Sequence, residues 1–154
     1  MTKYAKFGLM VATSTAAMFG LMYLNTYRID HVFFSESRVY MAFVMGAAMG
    51  TIMLLYMRHM YDDKKRNAGI LAGSAVVFAV ALWLLRSQAT IEDVSYMRAM
   101  IPHHSIAIMN SERANISDPR VRALADEIIA SQRREIGEMK ALIADLEGRG
   151  AQAP

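Results

Sequence analysis

Two methionines and two adjacent histidines stand close together in the second half of the chain, at Met97, Met100, His103 and His104. The whole sequence has 14 methionines and no cysteine. Thioether sulfur and imidazole nitrogen are soft to borderline ligands, a combination that suits copper and Cu(I) in particular. Neither ligand is lost to disulfide formation, so such a site would also work in an oxidising compartment. The residue types therefore indicate a copper site.

Three long apolar runs without a charged residue fill the first 85 residues, at about 7–24, 39–57 and 69–85. A helix needs about 20 residues to cross a hydrocarbon core roughly 30 Å thick, and each run approaches that length. The first run is longer than the apolar part of a signal peptide, so we interpret it as a retained span. The sequence predicts a membrane domain over residues 1–89 with three transmembrane helices in the lipid bilayer.

The net charge of +3 does not indicate a nucleic-acid partner once the chain is divided at residue 89. Residues 1–89 carry nine Lys and Arg against four Asp and Glu, whereas residues 90–154 carry eight against ten. The basic residues therefore flank the membrane spans. Six of them lie on the side of the N-terminus and the second loop, against three on the other side. The positive-inside rule then predicts a bacterial inner-membrane protein with a cytoplasmic N-terminus and a periplasmic C-terminal domain.

The second apolar run carries two patterns of period four. Ala42, Gly46 and Gly50 form a ridge of small residues that lets another helix approach closely, and we expect self-association there. Methionines also recur every four residues, at Met41, Met45, Met49, Met53 and Met57. We interpret this stripe mainly as flexible apolar packing, because no histidine or acid accompanies the thioethers within the span.

After residue 89 the pattern changes to two amphipathic helices. The first is predicted from about 93 to 114, with a turn at 115–117. The second is predicted from Pro119 to about Glu147, where Gly148 and Gly150 end it. The fold class is therefore all-α, with a periplasmic antiparallel hairpin over residues 90–148 and a flexible tail over 149–154.

The first helix of this hairpin carries the chemistry. Met97, Met100 and His104 are spaced by three and four residues, so they share one helical face. Folding the hairpin about its turn brings Met139 within a turn of Met97, with Glu135 close behind. The pattern predicts a metal cluster of the three methionines and the histidine.

The same spacing also fits a core lined by methionines. In that alternative His104, which the folded hairpin places opposite Ile129, is hydrogen-bonded to Gln132. His103 lies about 100° around the helix from His104, so both rings cannot point straight into one seam. A kink at Pro102 would turn them toward a common point.

The run from Asp93 to Met109 resembles the signature of the family catalogued as domain of unknown function 305. The segment from Gln132 to Met139 resembles the second block of that family, and the likeness covers about residues 90–146. The resemblance implies a ferritin-like helical bundle, and some members are periplasmic copper-binding proteins linked to copper tolerance. It implies six candidate ligands, namely Met97, Met100, His103, His104, Met109 and Met139.

One hairpin supplies only half of a ferritin-like four-helix bundle and leaves an apolar seam half covered. Self-association through the hairpin, helped by the ridge of the second span, would complete the bundle. We therefore expect a homo-oligomer.

The sequence lacks the common catalytic motifs. It contains no repeated E-x-x-H pattern, no H-E-x-x-H, no nucleophile elbow and no phosphate-binding glycine loop. We expect no enzyme, but a membrane-anchored periplasmic copper-binding protein that buffers or hands on Cu(I). The alternative is a non-catalytic accessory subunit, whose methionine-rich spans pack against a partner in a larger membrane complex.

Overall fold

The computed structural model describes residues 1–150, and over them the protein is helical without strands. Its α-helices are α1 Lys3–Leu21, α2 Glu36–Tyr56, α3 Lys64–Ser87, α4 Asp93–Arg113 and α5 Pro119–Gly150. The predicted all-α class is thereby confirmed for this part of the chain. The tail predicted over 149–154 lies outside the described residues, except that its first two residues continue α5.

The chain forms two compact units. The first contains Met1–Met22 and Glu36–Thr90, and with them α1, α2 and α3. The second contains the hairpin of α4 and α5 together with Tyr23–Ser35, the segment between α1 and α2, which we call the first loop. The second unit is thus discontinuous in sequence, whereas the division predicted at residue 89 assigns the first loop to the membrane domain.

Over the described residues, two helices are long and apolar enough to cross a membrane, whereas the sequence predicts three. They are α2, with a mean hydropathy of 1.8 over its most apolar stretch, and α3, with 2.3. Helix α1 falls short because it has 19 residues and ends at Leu21, before the end of the apolar run. A stretch of spanning length within it therefore includes the charged Lys6 as well as the polar Thr13, Ser14 and Thr15. Most of α3 is exposed within its unit, including the apolar side chains of Val76 and Trp83.

The ridge of small residues on α2 lets α1 and α3 of the same chain approach closely. A Cβ atom on Gly46 would lie 2.3 Å from Oγ1 of Thr15 in α1. A Cβ atom on Gly50 would lie 3.6 Å from a Cγ atom of Val11 in α1 and 3.9 Å from Oγ of Ser74 in α3. Because the ridge is covered within the chain, it does not support the predicted contact with a second copy.

The methionine stripe of α2 contributes to apolar packing at one end of the first unit. Phe7, Leu54 and Tyr61 form a buried cluster there, and Met53 and Met57 pack against it. These two methionines therefore fill space between helices, in the way flexible thioether side chains commonly do.

The start of α5 agrees with the prediction, and its end lies a few residues beyond the predicted one. Helix α5 starts at Pro119, as predicted, and Oδ1 of Asp118 accepts a hydrogen bond from the Arg120 N–H at 2.8 Å. Helix α5 includes Gly148 and extends to Gly150, the second of the two glycines predicted to end it, so Gly148 does not stop the helix. A glycine costs a helix about 1 kcal/mol, which is too little to end one that is otherwise well supported.

Candidate metal site

Three of the five predicted ligands on α4 lie on the face that the helix buries. Met97 is 7% exposed and His104 is 8% exposed, with the half-buried Met100 between them. Ile101 and Ile108 are fully or almost fully buried on the same side of the helix. These residues recur every three or four positions, which places them along one stripe.

Helix α5 supplies the opposite wall. Ile136 and Ile143 join Met97 in one buried apolar cluster, and Met139 packs against that cluster half-buried. The structure therefore brings Met97 and Met139 to the same core, as the sequence predicts. Both thioethers lie in an environment that excludes most water.

The imidazole of His104 has one partnered and one unpartnered nitrogen. Nε2 lies 2.7 Å from Oε2 of Glu135 on α5. Nδ1 is buried and has no hydrogen-bond partner among the described residues. An ionised carboxylate only accepts, so Nε2 carries the proton and donates it to Glu135. In the tautomer with its proton on Nε2, the buried Nδ1 atom keeps a lone pair that can bind a ligand.

Glu135 is held as a carboxylate. The hydroxyl of Ser131 donates to its Oε1, and the His104 ring donates to its Oε2. These two hydrogen bonds, with that from Ser131 the stronger cause, lower the pKa of Glu135 below its ordinary value. The carboxylate thus orients the imidazole over a wide pH range, which is the usual arrangement behind a metal-binding histidine.

The partner of His104 differs from both sequence-based expectations. The simple register places His104 opposite Ile129, and the methionine-core alternative bonds it to Gln132, but it contacts Glu135. In a helix the Cα–Cβ bond tilts toward the N-terminus, and long side chains follow that direction. The two helices of the hairpin are antiparallel, so two such side chains lean toward each other along the hairpin axis. Their tips therefore meet when their Cα atoms are about one turn out of register with directly opposed positions.

The structure separates two of the six candidate ligands from this face. His103 is exposed, and its ring centroid lies 6.2 Å from that of His104 with a 63° angle between the ring planes. Helix α4 runs through Pro102 without interruption, so the two rings keep the divergence of adjacent helical positions. Met109 is five residues beyond His104, about 140° around the helix.

A metal site made of acidic and imidazole ligands alone does not occur in the described part of the chain. Over residues 1–150, no group of three or more His, Asp or Glu side chains is arranged to hold a metal ion. A metal at His104 would therefore depend on the thioethers of Met97, Met100 and Met139.

The first loop packs onto the hairpin through Ser105, the residue next to His104. The Ser105 hydroxyl accepts a hydrogen bond from the Tyr27 N–H at 3.1 Å and lies 2.9 Å from Nδ1 of His31. Ser105 is fully buried, and His31 is 7% exposed. Burial lowers the pKa of the His31 ring below its ordinary value. The sequence offers only a weak signal for this contact, a small hydroxyl residue beside the buried histidine of α4.

An ion pair fixes the same loop to α5. Nζ of Lys140 lies 2.8 Å from Oδ2 of Asp30, whose Oδ1 accepts a hydrogen bond from Nε of Arg28 at 2.9 Å. The hydrogen bond from Lys140, and to a smaller extent the one from Arg28, holds the pKa of Asp30 far below its ordinary value. The favourable contribution of the pair to folding is therefore present above the ordinary carboxyl pKa, and it is lost only when the pH falls through the lowered one.

Comparisons with known proteins bear on this hairpin and on the chain as a whole. Residues 93–154 match the family described as "Domain of unknown function (DUF305)". An uncharacterized protein of Acanthamoeba polyphaga mimivirus is 30% identical over 138 residues, which cover 88% of this chain and 88% of the viral protein. No solved structure matches the chain significantly. The likeness to the viral protein extends over most of the chain, and through residues 93–154 the chain belongs to the family described as domain of unknown function 305.

Proposed function

We propose that the chain is a membrane-anchored copper-binding protein that holds Cu(I) between α4 and α5 and buffers it or hands it on. The observation that carries this proposal is the buried, unpartnered Nδ1 atom of His104 in the described structure. A buried polar atom without a partner costs about 1–3 kcal/mol, which a bound ligand would recover. Glu135 holds the other ring nitrogen, as the outer partner of a metal-bound histidine commonly does.

The donors around His104 fit Cu(I) better than other metals. Met97 and Met100 share its helical face, and Met139 packs into the same core from α5. Thioethers are soft ligands that favour Cu(I) and are uncommon in zinc sites. His103, exposed next to His104, is proposed as an auxiliary ligand at the solvent side. No catalytic step is assigned to this site.

The membrane anchor is proposed to comprise α2 and α3. Both are long and apolar enough to span, and α3 exposes apolar side chains along much of its length. A continuous exposed apolar surface of this kind suits lipid or a membrane partner.

Helix α1 is proposed as a third membrane helix because it lies along α2. Phe7 clusters with Leu54, and Thr15 faces Gly46, so the two helices run antiparallel over their length. Inside the pair, Oγ1 of Thr15 donates to the Val11 carbonyl at 2.8 Å, which satisfies a hydroxyl that lipid could not.

The first loop and the hairpin belong on the same side of the membrane. They contact each other through His31 and Ser105, and the chain between them consists of α2, α3 and their connection. Both helices must therefore cross, or neither. The connection carries Arg58, and the first turn of α3 carries Lys64, Lys65 and Arg66, which supports a cytoplasmic location for this segment and a periplasmic one for the hairpin.

We further propose that two hairpins associate. The hairpin exposes large apolar side chains along its outer surface, at Tyr96, Val121, Leu124 and Leu142. Two helices alone leave such a seam uncovered, and a second copy related by a twofold axis would complete a four-helix bundle. The ridge of α2 takes no part, because α1 and α3 cover it.

The metal content of the purified protein tests the proposed function. After expression of the full chain with added copper and purification in detergent under reducing conditions, we expect near-stoichiometric copper and much less zinc. Elemental analysis of the protein peak measures both. A well-folded protein that retains no copper, and takes up none on titration with Cu(I), would contradict the proposal and favour an accessory subunit.

Fusion reporters test the proposed orientation. Alkaline phosphatase, which is active only in the periplasm, is fused after Pro154 in one strain and after Asn67 in another. We expect activity from the first fusion and none from the second, because the second keeps the positive residues between the two spans, which retain that segment in the cytoplasm. The reverse pattern would contradict the orientation and with it a periplasmic role.

A further inference from the structure

A cleft of about 780 Å³ lies between the first loop and the hairpin, within the second unit. Its floor is formed by Ile108, Ile136 and Gly137, and cationic side chains line its sides. Clefts of roughly 300–1,000 Å³ with an apolar floor and a few convergent polar groups are typical of sites for small ligands. The cleft borders the core of the proposed metal site, because Ile136 lines it and also packs in the buried cluster that contains Met97, but none of the six candidate metal ligands lines it.

Gly137 keeps this cleft open. It lies in the middle of α5, where a glycine costs about 1 kcal/mol relative to alanine. A Cβ atom built on it would meet nothing within 4 Å, so no close approach of another element requires the missing side chain. The absence of a side chain at Gly137 therefore leaves free volume in the cleft that a larger residue would occupy.

The charges of the cleft favour an anion. Arg28, Arg133 and Lys140 line it together with one carboxylate, Asp30. Arg133 also pairs with Glu112, so three cations face two carboxylates and one net positive charge remains. Asp30 holds Arg28 and Lys140 in fixed positions rather than neutralising the whole set. A guanidinium has five N–H donors, so the single hydrogen bond from Arg28 Nε to Asp30 does not exhaust it. The buried His31 adds a neutral nitrogen at the inner end.

We propose that this cleft binds an organic phosphate, with the phosphate at Arg28, Arg133 and Lys140 and the organic part over Ile136 and Gly137. Arginine forks match phosphate oxygens in pairs, and lysine adds a mobile point charge. Two sources carry this chemistry, the headgroup of an anionic phospholipid and a soluble phosphate ester. A lipid headgroup is within reach, because His31 precedes α2, a candidate membrane span, by only five residues.

The test uses the full chain with two probes. Glycerol 3-phosphate is titrated into protein in an uncharged detergent by calorimetry. In parallel, protein from nanodiscs of phosphatidylcholine, with or without phosphatidylglycerol, is examined by native mass spectrometry for retained lipid. Binding of the soluble probe identifies a phosphate ester as the source, and selective retention of phosphatidylglycerol identifies a lipid headgroup. The absence of both would overturn the proposal.

Two pairs of variants place the binding in the cleft. Gly137→Leu fills the floor and is expected to weaken binding at least about tenfold, whereas Gly137→Ala, which meets no neighbour, leaves it unchanged. Arg133→Gln is expected to weaken binding to a similar extent. Arg134→Gln removes the same charge from a residue outside the cleft and serves as its control. Equal losses in Arg133→Gln and Arg134→Gln would show nonspecific charge attraction and overturn the proposal, even if the leucine variant fails to fold.

Discussion

The double replacement Met97→Leu and Met100→Leu is expected to lower the affinity for Cu(I) about a hundredfold, or about 2.8 kcal/mol. Leucine keeps the volume and apolarity of methionine, so the hairpin core around Met97 should remain packed. The thioether sulfur is the only feature removed. Competition with a Cu(I) chelator under reducing conditions measures the affinity, and circular dichroism checks the helix content.

A matched control comes from the methionine stripe of α2. Met45→Leu with Met49→Leu makes the same chemical change in the first unit and should leave the Cu(I) affinity unchanged. Zinc binding by the imidazoles should change little in either double variant, since thioethers are poor zinc ligands. If the Met97 and Met100 variant binds Cu(I) as tightly as the parent, these methionines are only core residues.

The His104→Gln variant is expected to lose about a hundredfold or more in affinity for both Cu(I) and Zn(II). The glutamine amide can still donate a hydrogen bond to Glu135, so the contact between α4 and α5 is retained while the Nδ1 lone pair is removed. His103→Gln provides the comparison. That side chain is exposed, and its loss should cost clearly less affinity.

The role of Glu135 is separable from that of the ring. Glu135→Gln removes the charge that orients His104 and should weaken metal binding about 10- to 100-fold, the range known for outer partners of metal ligands. Glu138→Gln is the control, because Glu138 is exposed and its ion pair with Arg134 is long, at 3.9 Å.

The comparison of the two histidines decides the role of the ring. If His104→Gln and His103→Gln have the same small effect, the unpartnered Nδ1 of His104 is not a ligand.

Periodicity predicted most of the helices, because apolar spacing and caps are local signals. Pro119 at the start of α5 follows directly from Asp118 and the fixed backbone of proline. The end of α5 escaped prediction because a single glycine weighs little against a long amphipathic helix. The number of spans depended on α1, whose Thr15 lies at an interface with α2 that no local pattern reveals.

The candidate site was predictable in its composition but not in its contacts. The spacing of Met97, Met100 and His104 fixes their common face, and Met139 follows from folding the hairpin. The bond between His104 and Glu135 depends on the tilt of two side chains, which a register of Cα positions ignores. The cleft could not be foreseen at all, because it requires the first loop to join a hairpin distant in sequence.

The second unit is discontinuous in sequence, and this sets the order in which its parts can fold. His31 leaves the ribosome 74 residues before Ser105, and Asp30 leaves it 110 residues before Lys140. Chains form their N-terminal parts first, and contacts between distant residues form late because a long loop must close. The first loop must therefore remain without its partners while α2 and α3 are synthesised. Only when α4 and α5 follow can Ser105 and Lys140 contact it, so the second unit is completed after all the residues of the first unit have been made.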